Sequence, residues 1–320
     1  MTLETDVPLR IGVSACLLGE PVRFDGGHKR DFFLVDALGR FVNWVPVCPE
    51  LESGLGVPRE SMRLVGTAGE IRLVTARTAH DHTETVTRYT LQRMEQIAEE
   101  ELSGFVLKRD SPTCGLERVR VYNSSGVPAR NGRGLFAAAL VARFPTLPVD
   151  EEGRLTDPRL RENFIECIFA YRDLSRLFTG RWTIGNLVRF HTARKLTLLA
   201  HVPTAYQRLG RLVAGGKALA RSALRAQYSM GFMTALRTVA TTGRHANVLK
   251  HMLGYFKDTL DQGDRAELLT SIQTYAAGRV PLVVPLTLLV HHIRRHDVSY
   301  LAGQIYLSPH PAELMLRNHV

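Results

Sequence analysis

The sequence lacks the features that mark several common classes of protein. Its longest apolar stretch, 280–290, contains Pro281 and Pro285 and is far shorter than the roughly 18 to 20 residues of a membrane-spanning helix. Glu4 and Asp6 precede any apolar run, which is the wrong order for a secretory signal. Repeats of fixed period and low-complexity tracts are also missing. We therefore expect a folded cytoplasmic protein with no membrane association.

Cysteine is scarce: the 320 residues include four, Cys16, Cys48, Cys114 and Cys167. The reducing cytosol disfavours structural disulfides, so free thiols or metal ligands are expected. No Cys-x-x-Cys pair occurs, and no histidine stands at zinc-finger spacing. Cysteine spacing alone leaves two interpretations open, a soft-metal site that holds iron–sulfur or zinc, or unrelated buried thiols. For Cys167 the apolar helical stretch 164–171 favours a buried core thiol.

Acidic residues are missing from one long segment. From 174 to 257 there are fourteen Lys and Arg and no Asp or Glu, and residues 151–320 carry 23 basic against 12 acidic residues. Phosphates attract clustered basic side chains, so a nucleic-acid surface is favoured over a merely solvated basic surface. The density of basic residues predicts RNA contacts at Arg181, Arg189, Arg194, Lys195, Lys250 and Lys257.

The first half of the chain alternates short apolar runs with helical patterns. The runs 10–16, 43–48 and 104–108 are typical of strands, whereas 31–38 and 83–102 have helical character. This alternation predicts an α/β domain with a mostly parallel sheet. All three runs end near a cysteine or a cysteine-bearing loop, and ligands bind at the carboxyl ends of such strands. Three of the cysteines could therefore converge.

Near 145–151 the pattern turns to proline and acidic residues, which predicts a boundary between domains 1–149 and 150–320. Beyond it the periodicity is mainly helical. An all-α C-terminal domain is predicted from the segments 157–177, 184–200, 209–226, 230–241, 246–260 and 264–276.

Three thiolates have a particular chemical meaning. A four-iron cluster normally takes four, so a protein that supplies three leaves one iron open to a thiocarbonyl sulfur. Glu50 follows Cys48 by two residues and Ser111 precedes Cys114 by three, so both could transfer protons beside such a cluster. Each has another interpretation, since Glu50 could cap a helix or pair with a basic residue and Ser111 could shape a turn before Pro112.

Four segments, taken in order, resemble the thiouracil desulfidase family. The resemblance covers roughly residues 9 to 147 and is carried by Val-Ser-Ala-Cys-Leu-Leu-Gly (13–19), Val-Arg-Phe-Asp-Gly (22–26), Val-Cys-Pro-Glu (47–50) and Leu-Lys-Arg-Asp-Ser-Pro-Thr-Cys-Gly (107–115). It implies a 4Fe-4S cluster held by Cys16, Cys48 and Cys114 with one open iron, and non-redox release of sulfide assisted by Glu50 and Ser111. The family's usual Ser-x-Ser-Pro segment reads Lys108-Arg109-Asp110-Ser111-Pro112 here, and Asp110 bears on the charge near the site.

The second half is similar to a helical domain that is fused to this desulfidase in many bacteria, through 228–233, 245–257, 279–286 and 304–311. The fused form is associated with tRNA 4-thiouridine desulfidation. The resemblance therefore implies hydrolytic conversion of 4-thiouridine to uridine, with thiolated tRNA as the partner. Two alternatives are a desulfidase of free thiouracil or thionucleosides and a nucleic-acid-binding protein with a structural or redox-sensing cluster.

Overall fold

The computed structural model describes residues 9–67 and 70–319. The chain divides into two compact units between Thr156 and Asp157. We call them the N-terminal unit and the helical unit. Residues 150–156 thus pack with the N-terminal unit, seven residues beyond the predicted end of the first domain.

The described part of the N-terminal unit contains eight strands. In chain order they are β1 (Leu9–Ser14), β2 (Val42–Val47), β3 (Met62–Thr67), β4 (Glu70–Thr75), β5 (Gly104–Leu107), β6 (Val119–Tyr122), β7 (Pro128–Gly132) and β8 (Val149–Glu151). One sheet has the order β2-β1-β5-β8, and every neighbouring pair in it is parallel. The three predicted strands are β1, β2 and β5 of this sheet, so the expected parallel α/β arrangement is confirmed.

A second, mixed sheet was not predicted. Its order is β4-β3-β6-β7, with β3 and β6 parallel and the two outer pairs antiparallel. Leu64 of β3 and Leu73 of β4 are fully buried and pack with Val86, Val119 and Val121. The N-terminal unit therefore has a small second core beside the parallel sheet.

Two regular helices complete the described N-terminal unit, α1 (Thr83–Glu99) and α2 (Leu135–Arg143). α1 confirms the helix predicted over 83–102 and ends three residues earlier. The helix predicted over 31–38 is instead a single wide turn, Phe33–Ala37, followed by a 3-10 turn.

Close packing fixes the centre of the parallel sheet. A side chain at Gly12 of β1 would place its Cβ 2.2 Å from the Phe105 ring of β5, so only glycine allows that ring to lie against the strand. The Phe105 ring in turn packs 5.7 Å from the ring of Phe136 in α2. Burying one such ring contributes about 1.5 to 3 kcal/mol.

The helical unit is all-α in its described part, as predicted. Its helices are α3 (Pro158–Leu177), α4 (Ile184–Ala193), α5 (Lys195–His201), α6 (Pro203–Ala214), α7 (Arg221–Leu236), α8 (Thr242–Leu253), α9 (Gln262–Ala276), α10 (Val283–Arg295) and α11 (Ser299–Ala302). Asp157 caps α3 by accepting hydrogen bonds from the backbone N–H groups of Arg159 and Leu160, and Pro158 occupies the first helical position. Within residues 9–67 and 70–319, no helix is long and apolar enough to cross a bilayer.

Candidate functional site

Two of the three predicted cysteine ligands follow neighbouring strands directly. β1 ends at Ser14, and Cys16 lies in the 3-10 turn Ala15–Leu18; β2 ends at Val47, and Cys48 is the next residue. Ser14 and Val47 are partners in the parallel register. Both cysteines therefore leave the sheet at the same edge, where parallel sheets bind ligands.

Cys114 reaches the same edge through the loop after β5. The Gly115 N–H donates to the Ser111 carbonyl over 2.8 Å, which closes the loop into a turn. A Cβ at Gly134 would lie 2.3 Å from the Thr113 carbonyl oxygen and 2.9 Å from the Cys114 nitrogen. Backbone therefore packs on backbone here, and this contact fixes the position of Cys114.

The five residues predicted for the catalytic site line one cavity of about 640 Å³: Cys16, Cys48, Cys114, Glu50 and Ser111. Cys16 and Cys114 are only 8% and 6% exposed. The structure thus brings the three cysteines to one cavity, as expected, although they are up to 98 positions apart in sequence.

Burial keeps the three thiols protonated in the metal-free chain. It raises the pKa of Cys16 to about 11, with a further contribution from Cys48, while Lys108 and Arg23 act in the opposite direction. Burial also raises the pKa of Cys48 and that of Cys114. Thiolates at these positions would need a strong positive partner, which a bound metal supplies.

The donor set suits an iron–sulfur cluster or zinc, because three soft thiols line one cavity. In the part of the chain that the structure describes, no three Cys, His, Asp or Glu side chains converge as the ligands of one metal ion would. The chemistry of the three thiols is compatible with a cluster, and ligation by the three cysteines stays a prediction.

Glu50 is held by a buried arginine. Arg59 donates to Glu50 Oε2 through Nε over 3.0 Å and also through Nη2. The same guanidinium donates to the carbonyls of Gly56 and Val22 over 2.8 and 3.1 Å. Glu50 does pair with a basic residue, as its alternative interpretation proposed, yet its other oxygen, Oε1, faces the cysteine loop.

A chain of hydroxyl groups joins Glu50 to Ser111. Thr113 Oγ1 donates to Glu50 Oε1 over 2.9 Å and lies 3.0 Å from Ser111 Oγ. Ser111 Oγ accepts the backbone N–H groups of Thr113 and Cys114 over 3.2 and 3.1 Å. Because its lone pairs are so occupied, the Ser111 hydroxyl donates to Thr113, and the direction of donation runs Ser111 to Thr113 to Glu50.

Thr113 and Arg59 were missed by the sequence reasoning. Thr113 had an available signal, since it stands inside the Ser-Pro-Thr-Cys-Gly segment beside Cys114. Arg59 had none, because its contacts depend on how the loop after β2 closes. Asp110, within the segment that differs from the family pattern, has a left-handed φ of 60° and pairs with Arg109 and Arg130 at 3.3 Å each.

One aromatic ring lines the cavity and remains open to solvent. Phe24 is 38% exposed, and the guanidinium carbon of Arg23 lies 5.3 Å from its ring centroid. A planar base can stack on such an exposed ring.

The fourth cysteine lies in the helical unit. Cys167 is buried in the core around α3 and α7, and its thiol donates to the Leu236 carbonyl over 3.4 Å. The interpretation of Cys167 as a core thiol is confirmed.

The six predicted RNA contacts are distributed over three helices and three connecting segments, and five of them reach solvent: Arg181, Arg189, Lys195, Lys250 and Lys257. Arg194 does not suit the surface role predicted for it. It is 6% exposed, donates to Asp173 of α3, and lies 3.9 Å from the Phe190 ring centroid. The Arg194 charge is paired with Asp173 inside the helical unit and is not available at the surface.

Residues 11–152 match the family model described as 2-thiouracil desulfurase. This part of the chain is a domain of the 2-thiouracil desulfurase family. Its helical unit adds a match over residues 195–311 to the family described as a protein of unknown function (DUF1722). The resemblance given by the sequence motifs is thus confirmed for both halves of the chain.

Two bacterial relatives match at similar identity. The uncharacterized protein YbgA of Escherichia coli (strain K12) is 33% identical over 161 residues, which are 50% of this chain and 95% of that protein. The uncharacterized protein YbbK of Bacillus subtilis (strain 168) is 31% identical over 137 residues, which are 40% of this chain and 87% of that protein. A solved structure titled 4Fe-4S-dependent thiouracil desulfidase TudS is 34% identical, with a TM-score of 0.39, and the match covers 46% of this chain and 93% of that one.

Proposed function

We propose that this chain removes sulfur from 4-thiouridine in tRNA and releases sulfide. The observation that carries the proposal is one cavity, in a 2-thiouracil desulfurase domain, that is lined by three thiols and by the chain from Glu50 to Ser111. The reaction exchanges the C4 sulfur for the oxygen of one water. One water enters, hydrogen sulfide leaves, and no electron is gained or lost.

Cys16, Cys48 and Cys114 would hold a 4Fe-4S cluster through three thiolates. When bound, the cluster supplies one open iron with affinity for the thiocarbonyl sulfur of the substrate. Phe24 would stack the base at the wall of the same cavity.

Glu50 and Ser111 would manage protons through Thr113. A proton taken up at Ser111 Oγ would replace one of its two backbone N–H bonds; the Ser111 proton would then pass to Thr113 Oγ1 and the Thr113 proton to Glu50 Oε1, along the direction in which the hydrogen bonds point. Arg59 orients Glu50 by binding Oε2, which leaves Oε1 for this path.

The helical unit would supply the affinity for tRNA. Its acid-free segment, 174–257, carries fourteen basic residues, and phosphate contacts dominate RNA affinity. We propose Arg181, Arg189, Lys195, Lys250 and Lys257 as the contacts, since all five reach solvent. A tRNA substrate implies that the protein acts in the cytoplasm.

The test is sulfide release by protein reconstituted with iron and sulfide without oxygen. The substrates are bulk tRNA that contains 4-thiouridine, free 4-thiouridine and free 2-thiouracil. We expect release from tRNA together with loss of its thiolated-base absorbance. Release only from the small molecules would replace this proposal by a base or nucleoside desulfidase. No release from any substrate would favour a nucleic-acid-binding protein with a structural cluster.

A further inference from the structure

The helical unit contains a second large cavity, of about 690 Å³, which no predicted contact residue lines. One wall is α10 and the other is the segment 307–318. We call this cavity the α10 groove. Ligand pockets in proteins usually measure about 300 to 1,000 Å³, so its size suits a small molecule or one unit of a polymer.

The α10 wall is a single helical face. The residues that line the groove recur at intervals of three and four, as one side of a helix requires: Val283, Leu286, Thr287, Val290, His291 and Arg294. The apolar members stand mainly at the start of the helix and the basic ones at its end. From the opposite wall Leu307, Met315 and Leu316 add apolar surface, and Met315 is 67% exposed. The groove is therefore apolar along most of its length and cationic at one end.

Among the residues that the structure describes, no acidic side chain lines this groove, and its cationic end carries positive charge that is not neutralised. Arg294 is exposed and has no ion-pair partner among the residues that the structure describes. Arg295 lies 3.8 Å from Asp264 and is still 60% exposed. Cations in the last turn also complement the helix dipole, but that effect does not explain a groove wall without any acid. The occupant should thus be planar or apolar in one part and anionic in another.

We propose that the α10 groove binds one unstacked nucleotide of a single-stranded RNA segment. The base lies against Val290 and the apolar wall, and the phosphate lies at His291 and Arg294. RNA is favoured over an acidic peptide or a fatty acid because the same unit carries the acid-free basic segment 174–257. This inference rests on the proposed function for the choice of RNA, and it adds a site for a nucleotide other than the one that is desulfurated.

The test measures how tightly the full chain binds two RNAs. One is a fluorescein-labelled ten-nucleotide oligouridylate, and the other is an RNA duplex of equal length. The variants are Arg294→Glu and Val290→Asp. Arg265→Glu is the matched control, because this substitution makes the same charge change as Arg294→Glu. Arg265 is exposed in the same unit and does not line the groove. We expect both groove variants to weaken oligouridylate binding about tenfold and the control less than threefold. The slope of log K against log salt should fall by about 0.7 in Arg294→Glu, the loss of one single-strand phosphate contact. Duplex binding should change no more than in the control.

Photocrosslinking of the wild-type chain to an oligouridylate with one 5-iodouridine keeps the test independent of folding in the variants. Crosslinks should fall in 283–295 or 307–318. Crosslinks only elsewhere, or equal losses in Arg294→Glu and Arg265→Glu, would overturn the inference. Binding of polyglutamate or oleate to the groove in place of oligouridylate would overturn it as well. These measurements involve no turnover. Oligouridylate binding in the groove without sulfide release would therefore refute the proposed function and still support the inference about the groove.

Discussion

At the scale of single residues, the link between Glu50 and Ser111 depends on the Thr113 hydroxyl. Thr113→Val keeps the side-chain shape and removes both hydrogen bonds, so we expect kcat for sulfide release to fall roughly 10- to 100-fold. KM and iron content should stay near the wild-type values. Thr113→Ser is the matched control, because it keeps the hydroxyl and should keep most of the activity. Wild-type turnover in Thr113→Val would remove Thr113 from the proton path.

The cysteines separate into two groups with different expected behaviour. Cys16→Ala, Cys48→Ala or Cys114→Ala should lose the cluster absorbance, most of the bound iron and sulfide release together, since each would remove one of three ligands. Cys167→Ala should keep all three properties, because that thiol lies in the core of the helical unit. Its cost is a small cavity, about 1 kcal/mol in the free energy of unfolding. Loss of bound iron in Cys167→Ala would contradict this division.

The sequence identified the residues of the site that stand next to a recognisable cysteine. Glu50 follows Cys48 and Ser111 precedes Cys114, so short motifs were sufficient. Arg59 could not be found in this way, since its guanidinium joins Glu50, Gly56 and Val22 only after the loop has folded. Arg194 was assigned to the surface because charge density in a sequence does not show that Asp173 and Phe190 enclose it.

At the scale of elements, apolar patterning predicted buried strands and missed exposed ones. β1 and β5 are buried along almost their whole length, and such apolar runs are visible in sequence. β7 has the sequence Pro-Ala-Arg-Asn-Gly and exposes four of its five residues, so no alternation marks it as a strand. The helix predicted over 184–200 is two helices that meet at Arg194, and Arg194 pairs there with Asp173 of α3, a tertiary contact that periodicity does not show.

A buried ion pair joins α3 to α5. Glu166 Oε2 lies 3.4 Å from His201 Nε2. Burial opposes both charges, but the hydrogen bond and charge of each partner outweigh it, so the pKa of Glu166 is lowered to about 2 and the pKa of His201 is raised. The stability that Glu166 contributes to the folded state is present at pH values above its ordinary pKa of 4.5 and is lost as the pH falls toward about 2. The stability that His201 contributes is present at pH values below its ordinary pKa of 6.5 and is lost as the pH rises through its raised pKa in the folded state.

The pair should therefore stabilise the helical unit most between about pH 4.5 and 6.5. Glu166→Gln should lower the free energy of unfolding by about 3 kcal/mol at pH 6 and by clearly less at about pH 3, where most of the Glu166 contribution is lost. The sequence has two tryptophans, so unfolding in a Trp44→Phe background is followed by Trp182 of the helical unit alone. Glu267→Gln, at an exposed position, is the control and should cost under about 0.5 kcal/mol. An equal loss from Glu166→Gln at both pH values would contradict the assigned pairing.

At the scale of the whole molecule, the two compact units predict separable activities. The described N-terminal unit has its own sheets and all five residues of the candidate catalytic site. After reconstitution, a fragment of residues 1–156 should release sulfide from free 4-thiouridine within about threefold of the full chain. It should lose at least about tenfold in kcat/KM for thiolated tRNA, because phosphate contacts dominate that affinity. Equal kcat/KM values for tRNA in the fragment and the full chain would show that the helical unit does not contribute to substrate binding.

The change from strands to helices predicted two domains, and composition placed their boundary within seven residues of the division between the compact units. Composition could not place it better, because proline and acidic residues near 145–151 do not show which of these residues pair with the sheet. The last three, Val149–Glu151, form β8 and pair with β5, and only the folded sheet shows that they belong to the first unit.

The burial of the three thiols also bears on how the folded chain resists chemical damage. Oxidants and alkylating agents react with thiolates, and a thiol whose pKa lies well above 7 offers very few of them. Once the N-terminal unit has folded, burial raises the pKa of Cys16 to about 11 and also raises those of Cys48 and Cys114, so all three thiols should be slow to oxidise. The cavity walls thus protect the side chains that are proposed as cluster ligands.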